Sequence, residues 1–458
     1  MSAQGVVTVG LDIGTTSIKG VAVDDDGAVV ARSRIPHRLQ VPSADRMEHD
    51  ANQAWRRGPL RALAALGDVK ARAVVVAAMA PSLTAVDGRG RALTPGLLYG
   101  DGRGRGRRAT PSVGSAPGEA PGPGGEGELV EFLRWTAGEA PGAAAYWPAA
   151  AVANRALGGE PVIDLGVAFT ALPLFGDQGW DAAICESCGA SPEQLPTVAM
   201  PGEPAGRVGS AGPVLGAGTV DVWCEQLVAG ADEPGDVHVI CGTTLLIWAV
   251  TDTSAEAPGL WTVPHGVEGR HLVGGASNAG GLFLDWAGRL AGRPGAKERL
   301  DPAAVPIWCP FPRGERTPYH DPDRRASLHD LDLTHGPAAL QRAAWEAAGF
   351  VVRHHLELAG AVPKRLVATA GGTRVEGWMQ ALADTTGVEV HVAAEPEGAA
   401  RGAAFIARVA AGVETDLRDA SRWARTVRVM EPDARWVAGC AERYARFVEL
   451  SGSPGQLR

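Results

Sequence analysis

VGLDIGTTSIKGVAVDDDGAVV, residues 9–30, sets an acid, a glycine, three hydroxyls and a lysine around the turn between two hydrophobic runs. Val7, Val9 and Leu11 alternate with smaller or polar neighbours. Ile18, Val21 and Val23 resume the pattern beyond Gly14-Thr15-Thr16-Ser17, and Asp24-Asp25-Asp26-Gly27 turns the chain again. That is the signature of a three-strand meander. Its first turn has the chemistry for a polyphosphate: Gly14 lets backbone N–H groups approach, the hydroxyls donate, Lys19 supplies positive charge, and Asp12 can hold a metal ion through water. Taken alone, the same residues also read as an ordinary hairpin with a polar turn, and Lys19 as a solvated lysine at a strand start.

The chain is 458 residues long, too long for one core, which implies two to three domains. Its 43 basic and 52 acidic residues leave a net charge of -9, so no phosphate-neutralising excess points to a nucleic-acid partner. No window approaches the roughly 20 apolar residues of a membrane span, and the start lacks the pattern of a secretory leader, so the expected location is the cytoplasm. Six cysteines, at 185, 188, 224, 241, 309 and 440, are too sparse for a disulfide scaffold. Cys185-Glu186-Ser187-Cys188 has CxxC spacing but lacks a second pair or a nearby histidine, and reads as free thiols near a helix end rather than a zinc site.

Further along, a helix-like stretch from Gln53 to Leu66 precedes an apolar run, Ala73–Ala78, which makes the first domain α/β. Residues 100–128 hold almost nothing to bury, and a mobile loop is expected from Gly102 to Glu128. Gly122-Pro123-Gly124-Gly125-Glu126-Gly127 within it fits GxGxxG, but without the strand that a dinucleotide site requires. Val237–Trp248 repeats the opening device, a strand, a Gly242-Thr243-Thr244 turn and a strand. The recurrence suggests duplicated domains facing each other across a cleft. A helical pattern spans Pro337–Leu358. Leu366–Ala370 then reads as a buried strand leading through Gly371-Gly372-Thr373 into a helix, a place where backbone can approach a nucleotide.

Together these residues resemble the FGGY carbohydrate kinases, in their xylulose kinase-like branch, within the actin, hexokinase and heat-shock chaperone ATPase superfamily. The resemblance implies two duplicated ribonuclease H-like domains with a cleft between them, spanning 1–232 and 233–430, and a helical tail over 431–458. It implies ATP and Mg2+ as cofactors. Asp12, Gly14, Thr15, Thr16 and Lys19 then look like the first phosphate motif, with Asp12 at the metal, and Gly242, Thr243 and Thr244 like the second. Gly371, Gly372, Gln380 and Asp384, followed by Glu397–Ala404, look like the adenosine region. Gly314-Glu315-Arg316-Thr317-Pro318 and Arg342-Ala343-Ala344-Trp345-Glu346 are similar to two further family signatures. The family order makes Asp221 the catalytic base, although Gly216–Asp221 read alone equally makes Asp221 a helix N-cap. Met79, Ala80, Asp101 and Asp221 fall on the substrate side. The partner implied is a small sugar, ketose or polyol, with neither nucleic acid nor membrane, and a homodimer is an assembly it allows.

The acceptor side departs from the family. Met79-Ala80-Pro81 stand where xylulose kinases of the family carry Gln-Met-His, Tyr99 replaces a Trp, Leu129 and Phe132 stand in place of a Lys-x-x-Trp signature, and Ala326 replaces a glycine. Apolar groups where sugar hydroxyls need partners change specificity strongly. The alternative is a catalytically weak sugar- or nucleotide-binding protein on the same fold. A chaperone- or actin-like ATPase is disfavoured by the GERTP and RAAWE signatures.

Overall fold

Val9, Leu11, Ile13, Ile18, Val21 and Val23 are all buried. They lie on β1 (Thr8–Ile13) and β2 (Ser17–Val23), an antiparallel pair that β3 (Val29–Pro36) extends. This is the meander expected from the sequence. The computed structural model describes residues 5–43, 45–104, 127–254, 257–265, 269–295, 300–395 and 397–452. The GxGxxG match and most of the expected mobile loop lie outside them. Gly102 and Arg103 lie inside, and they correct the start of that loop: Arg103 is buried, and the Gly102 N–H donates to the Asp45 carbonyl.

After β3 the chain forms a helical stretch, Asn52–Arg57 continued by Gly58–Ala64, and returns as β4 (Ala73–Ala78), parallel to β1. A parallel neighbour needs such a crossover. β5 (Pro204–Arg207), β6 (Val214–Gly216) and β7 (Thr219–Val220) complete the sheet in the order β5-β6-β4-β1-β2-β3, with β7 also on β4. A Cβ at Gly10 in β1 would meet the Ala400 carbonyl oxygen at 1.8 Å, and one at Gly402 the Cys224 oxygen at 2.0 Å. The helix Gly398–Ala410 can therefore lie on β1 and against the helix Asp221–Leu227 only through glycine.

The second sheet comprises β8 (Asp236–Cys241), β9 (Leu245–Thr251), β10 (Trp261–Pro264), β11 (His271–Ser277), β12 (Arg365–Thr369), β13 (Val390–Ala393) and β14 (Thr426–Met430). Its order is β10-β11-β9-β8-β12-β13-β14. Each sheet has a first strand antiparallel to its hairpin partner and parallel to the strand that follows a helical crossover, β1 with β4 and β8 with β12. That shared order is a duplication at the level of topology.

The chain divides into two compact units, residues 1–228 with 397–423, and 229–396 with 424–458. The linear division at 232 and 430 differs from this in keeping 397–423 with the second domain. Those residues pack with the first sheet because the small side chains of EGAARGAA match the glycine at β1. The terminal helix Ala434–Ser451 belongs to the second unit. All six cysteines are buried and none forms a disulfide, with Cys185 in the helix Ala182–Ser187 and Cys188 at its C-terminal cap. Among the described residues no helix is long and apolar enough to cross a membrane.

Candidate active site

In the first unit the β1–β2 register sets Asp12 directly across from Lys19. The Lys19 Nζ lies 3.1 Å from Asp12 Oδ2, with Asp12 buried and Lys19 partly so. The Asp12 charge raises the Lys19 pKa against the opposing effect of burial, and Glu225 and Glu397 add to the rise. Lys19 is thus an ion-paired cation rather than a solvated one. Arg32 approaches the same Glu397 at 3.6 Å. Glu225 escaped the sequence reading, and Glu397 was expected at the start of the adenosine region; only the docking of two helices brings both to Lys19 on β2.

Asp221 opens the helix Asp221–Leu227, but the capping position itself is Val220. The Asp221 Oδ1 accepts the Val222 N–H at 2.7 Å, so the carboxylate does serve the first helical turn. It is partly buried. Burial first, and then the charge of Asp12, push its pKa up to about 7, while Lys19 pulls it down. A carboxylate poised near neutrality suits a general base. Among the described residues no group of three or more His, Cys, Asp or Glu side chains could hold a metal ion. One or two carboxylates, Asp12 with Asp221 near it, are what Mg2+ takes from a protein when phosphates and water complete its octahedron.

The turn between β1 and β2 closes with the Gly14 N–H donating to the Ser17 carbonyl at 3.1 Å. Its two threonines diverge. Thr15 is buried and its hydroxyl meets the Tyr99 phenol at 3.1 Å, whereas Thr16 is exposed.

On the expected substrate side, Met79 is buried within the apolar core and Ala80 packs against that core. Asp101 is fully buried. Its carboxylate accepts the Met47 N–H at 2.7 Å and Arg103 Nε and Nη2 at 2.9 and 2.6 Å. Arg103 also pairs with Glu48 at 2.6 Å and lies over Trp135. Asp101, expected to face a substrate, instead ties the segment before β4 to the chain after it. Leu129 and Phe132 are buried in the helix Glu128–Glu139. Beside Ala80 and Pro81, Leu83, Tyr146 and Trp180 help line an apolar cavity of about 10 Å³, space for a single water.

In the second unit the Gly242 N–H donates to the Thr244 carbonyl at 3.1 Å. The start of the helix Gly281–Ala291 holds this turn from outside, Gly281 N–H donating to the Gly242 oxygen at 2.9 Å and Leu282 N–H to that of Thr243 at 3.1 Å. After β12, Ala370 takes φ +68°, followed by a 3₁₀ turn, Gly371–Arg374, and the helix Glu376–Thr386. A Cβ on Gly372 would strike the Trp378 ring at 2.2 Å and the Cys241 oxygen at 2.6 Å, whereas one on Gly371 would meet open space. The two glycine turns of this unit therefore abut, with room beside Gly371 for a ligand.

Gln380 does not face that space. Its amide donates to Asp384 Oδ1 and to the Glu431 carbonyl, both at 2.8 Å. Arg342 bridges Asp384 and Glu346 at 2.8 Å each, and Arg443 of the terminal helix reaches Glu346 at 2.7 Å. Trp436 stacks on Arg342 at 4.0 Å. The RAAWE signature is thus the hub of a buried ion network that fastens the terminal helix. Glu315 of GERTP accepts from Ser277 at 2.8 Å and from the N–H groups of Asn278 and Arg316 at 3.1 and 2.7 Å, and burial pushes its pKa to about 7. It pins the chain beyond β11.

Two family profiles match: the N-terminal domain of the FGGY family of carbohydrate kinases over residues 7–107 and the C-terminal domain over 237–411. Among curated proteins the chain is similar to xylulose kinases of Escherichia coli strain K12, 26% identical with 96% of this chain and 98% of that protein covered. It is also similar to that of Streptomyces rubiginosus, 30% identical with 92% of each covered. A gluconokinase of Bacillus subtilis is 25% identical over 88% and 87% of the two chains. Among solved structures, xylulose kinase from Rhodospirillum rubrum superposes with a TM-score of 0.75 at 25% identity, covering 97% of this chain and 98% of that one.

Proposed function

The chain belongs to the FGGY family of carbohydrate kinases, and we propose that it transfers the γ-phosphoryl group of ATP to a hydroxyl of a small ketose, sugar or polyol, xylulose being the first candidate. The observation that carries this reading is Asp221, a carboxylate held near pKa 7 by burial and by Asp12, which itself pairs with Lys19 across the hairpin. In the transfer the acceptor oxygen bonds to the γ-phosphorus as the bond to the bridging oxygen breaks, ADP leaves, and Asp221 takes the hydroxyl proton. Mg2+, when bound, would supply charge neutralisation there. Asp12 would hold the metal, and Lys19, paired with Asp12, offsets the charge of the incoming phosphates. The Gly14–Ser17 and Gly242–Thr244 turns receive phosphate oxygens through their hydroxyls and through N–H groups other than those of Gly14 and Gly242, which close the turns. Gly371 leaves room for the nucleoside.

The relatives' names support xylulose, and the gluconokinases among them widen the acceptor class to other small polyhydroxy compounds. A second reading, a weakly active sugar- or nucleotide-binding protein, is favoured by one feature: Met79 and Ala80 offer no polar side chain to a sugar. ADP release measured with Mg2+ and ATP over pentuloses, hexuloses, polyols and sugar acids separates the two. Stimulation by one acceptor class establishes the kinase. ATP binding without any stimulation establishes the binding protein.

A further inference from the structure

We propose that His49, Trp55 and Tyr99 are positioning residues that hold the Gly14–Ser17 turn in its phosphate-receiving shape, with Thr15 as the inward tether and Thr16 as the outward hydroxyl. The inference rests on the reading of that turn as a phosphoryl-donor site. The Trp55 indole is fully buried and its N–H lies 3.0 Å from His49 Nδ1. An indole N–H can only donate, so Nδ1 is the acceptor and the imidazole proton sits on Nε2. That Nε2–H donates to the Thr15 carbonyl at 2.8 Å. The tautomer is therefore set by Trp55, not by the ligand. Burial, and then the neighbouring His37, lower the His49 pKa to about 4, which keeps the ring neutral and the relay intact at neutral pH.

A second tether reaches the same residue from the turn after the strand Gly96–Leu98, the Tyr99 phenol at 3.1 Å from the Thr15 hydroxyl. A third holds the next residue, the His37 N–H donating to the Thr16 carbonyl at 3.0 Å, while the His37 ring packs edge-on against His49 at 4.5 Å. The frame behind these groups leaves little slack. The indole sits where a Cβ on Gly96 would come within 2.4 Å of it, and Glu48 and His49 pair with Leu97 and Gly96, two and three residues before Tyr99. The carbonyl and the hydroxyl of Thr15 are thus committed to the interior. The exposed Thr16 is left for the ligand. A loop that must keep its N–H groups converged on an anion gains affinity when its alternative shapes are removed beforehand.

The test is calorimetric binding of Mg2+ with ATP, and of AMP, to the full chain and to Tyr99→Phe, His49→Leu and His49→Gln. Tyr99→Phe and His49→Leu should each weaken ATP by about fivefold to tenfold and leave AMP unchanged, because AMP lacks the outer phosphates that the turn receives. His49→Gln should stay within about twofold of the parent, since its carboxamide offers an acceptor to Trp55 and a donor to Thr15. Parent-like ATP affinity in Tyr99→Phe, or a folded His49→Gln as weak as His49→Leu, overturns the proposal. If His49→Leu does not fold, the other two variants decide. A parent that binds ATP but phosphorylates no acceptor sinks the kinase reading and leaves this inference to stand on the affinities; a parent that binds no ATP sinks both.

Discussion

The turns Gly14–Ser17 and Gly242–Thr244 occupy the same place in two sheets that share the order of four consecutive strands, β3-β2-β1-β4 and β11-β9-β8-β12, yet they are built from different materials. In the first, the residues paired one step back from the turn are Asp12 and Lys19; in the second, the equivalent pair is Ile240 and Leu246. The first turn is braced mainly by side chains, His49 and Tyr99 on Thr15, with one backbone N–H, that of His37, on the Thr16 carbonyl. The second is braced by backbone, the N–H groups of Gly281 and Leu282 on the carbonyls of Gly242 and Thr243. Sheet hydrogen bonding preserves the backbone of both copies. Charge is different, because a buried ion is costly unless it is paired, and on the proposed reading only the copy that handles the metal and the proton carries it.

The largest effect that separates the two copies should come from Asp221, for which the second unit has no assigned counterpart. Asp221→Asn keeps the shape but cannot accept a proton, so turnover with the best acceptor should fall by about two or more orders of magnitude while ATP affinity holds. In the parent, kcat/KM should rise with pH through a midpoint near 7, because the active form is the ionised carboxylate. The stability effect has the opposite sign. A carboxyl whose folded pKa is raised contributes stability at low pH that is lost as pH rises through about 7, so Asp221→Asn should unfold at a higher temperature than the parent above neutrality. A mutant that turns over like the parent breaks the assignment, and one that unfolds across the whole pH range makes Asp221 a helix-turn residue only.

Next in size is the abutment of the two glycine turns. Gly372→Ala forces a methyl group into the Trp378 ring and the Cys241 oxygen and should cost roughly 1–3 kcal/mol. Gly371→Ala should leave the unfolding midpoint unchanged, and equal losses in urea melts for both would mean the contrast in space is not real.

Lys19→Met should be milder, a loss of about 1 kcal/mol for a pair with a partly exposed partner. It should also move the pH midpoint of kcat/KM upward, since Lys19 lowers the Asp221 pKa. Leu246→Val at the equivalent position should leave the pH profile untouched, and a midpoint that fails to move in Lys19→Met would uncouple the pair from the base.

The smallest effect is a gain. Ala370 sits at φ +68° and ψ -172°, a region natural to glycine, so Ala370→Gly should stabilise the second unit by about 0.5–1 kcal/mol in chemical denaturation. No gain would mean the neighbouring strand has absorbed the strain.

Much of this was legible because it is local. Alternation over residues 7–23 and 237–248 and the apolar spacing of Pro337–Leu358 specify strands and a helix through contacts a few residues away. The pairing of Asp12 with Lys19 follows from the length of the turn, since an antiparallel hairpin of that loop size must set them opposite. Asp101, Gln380 and Arg342 were not legible in the same way. Their types suit ligands as well as ion pairs, and only the location of Arg103, Asp384 and Glu346 decides between the two.

The amino-acid sequence by itself determined two hairpins with glycine–hydroxyl turns, a strand leading into Gly371-Gly372, and membership of a family whose signatures run in order along the chain. Tertiary structure alone decided which of those polar groups are committed inward. Thr15 goes to Tyr99 and His49, Asp101 to Arg103, and Gln380 to Asp384, while Glu397–Ala404 leaves its sequence neighbours to pack on β1. The reason is physical. Hydrophobic period and turn chemistry act between near neighbours, whereas a buried polar group must find a partner wherever the folded chain supplies one, and that partner is set by packing rather than by sequence distance.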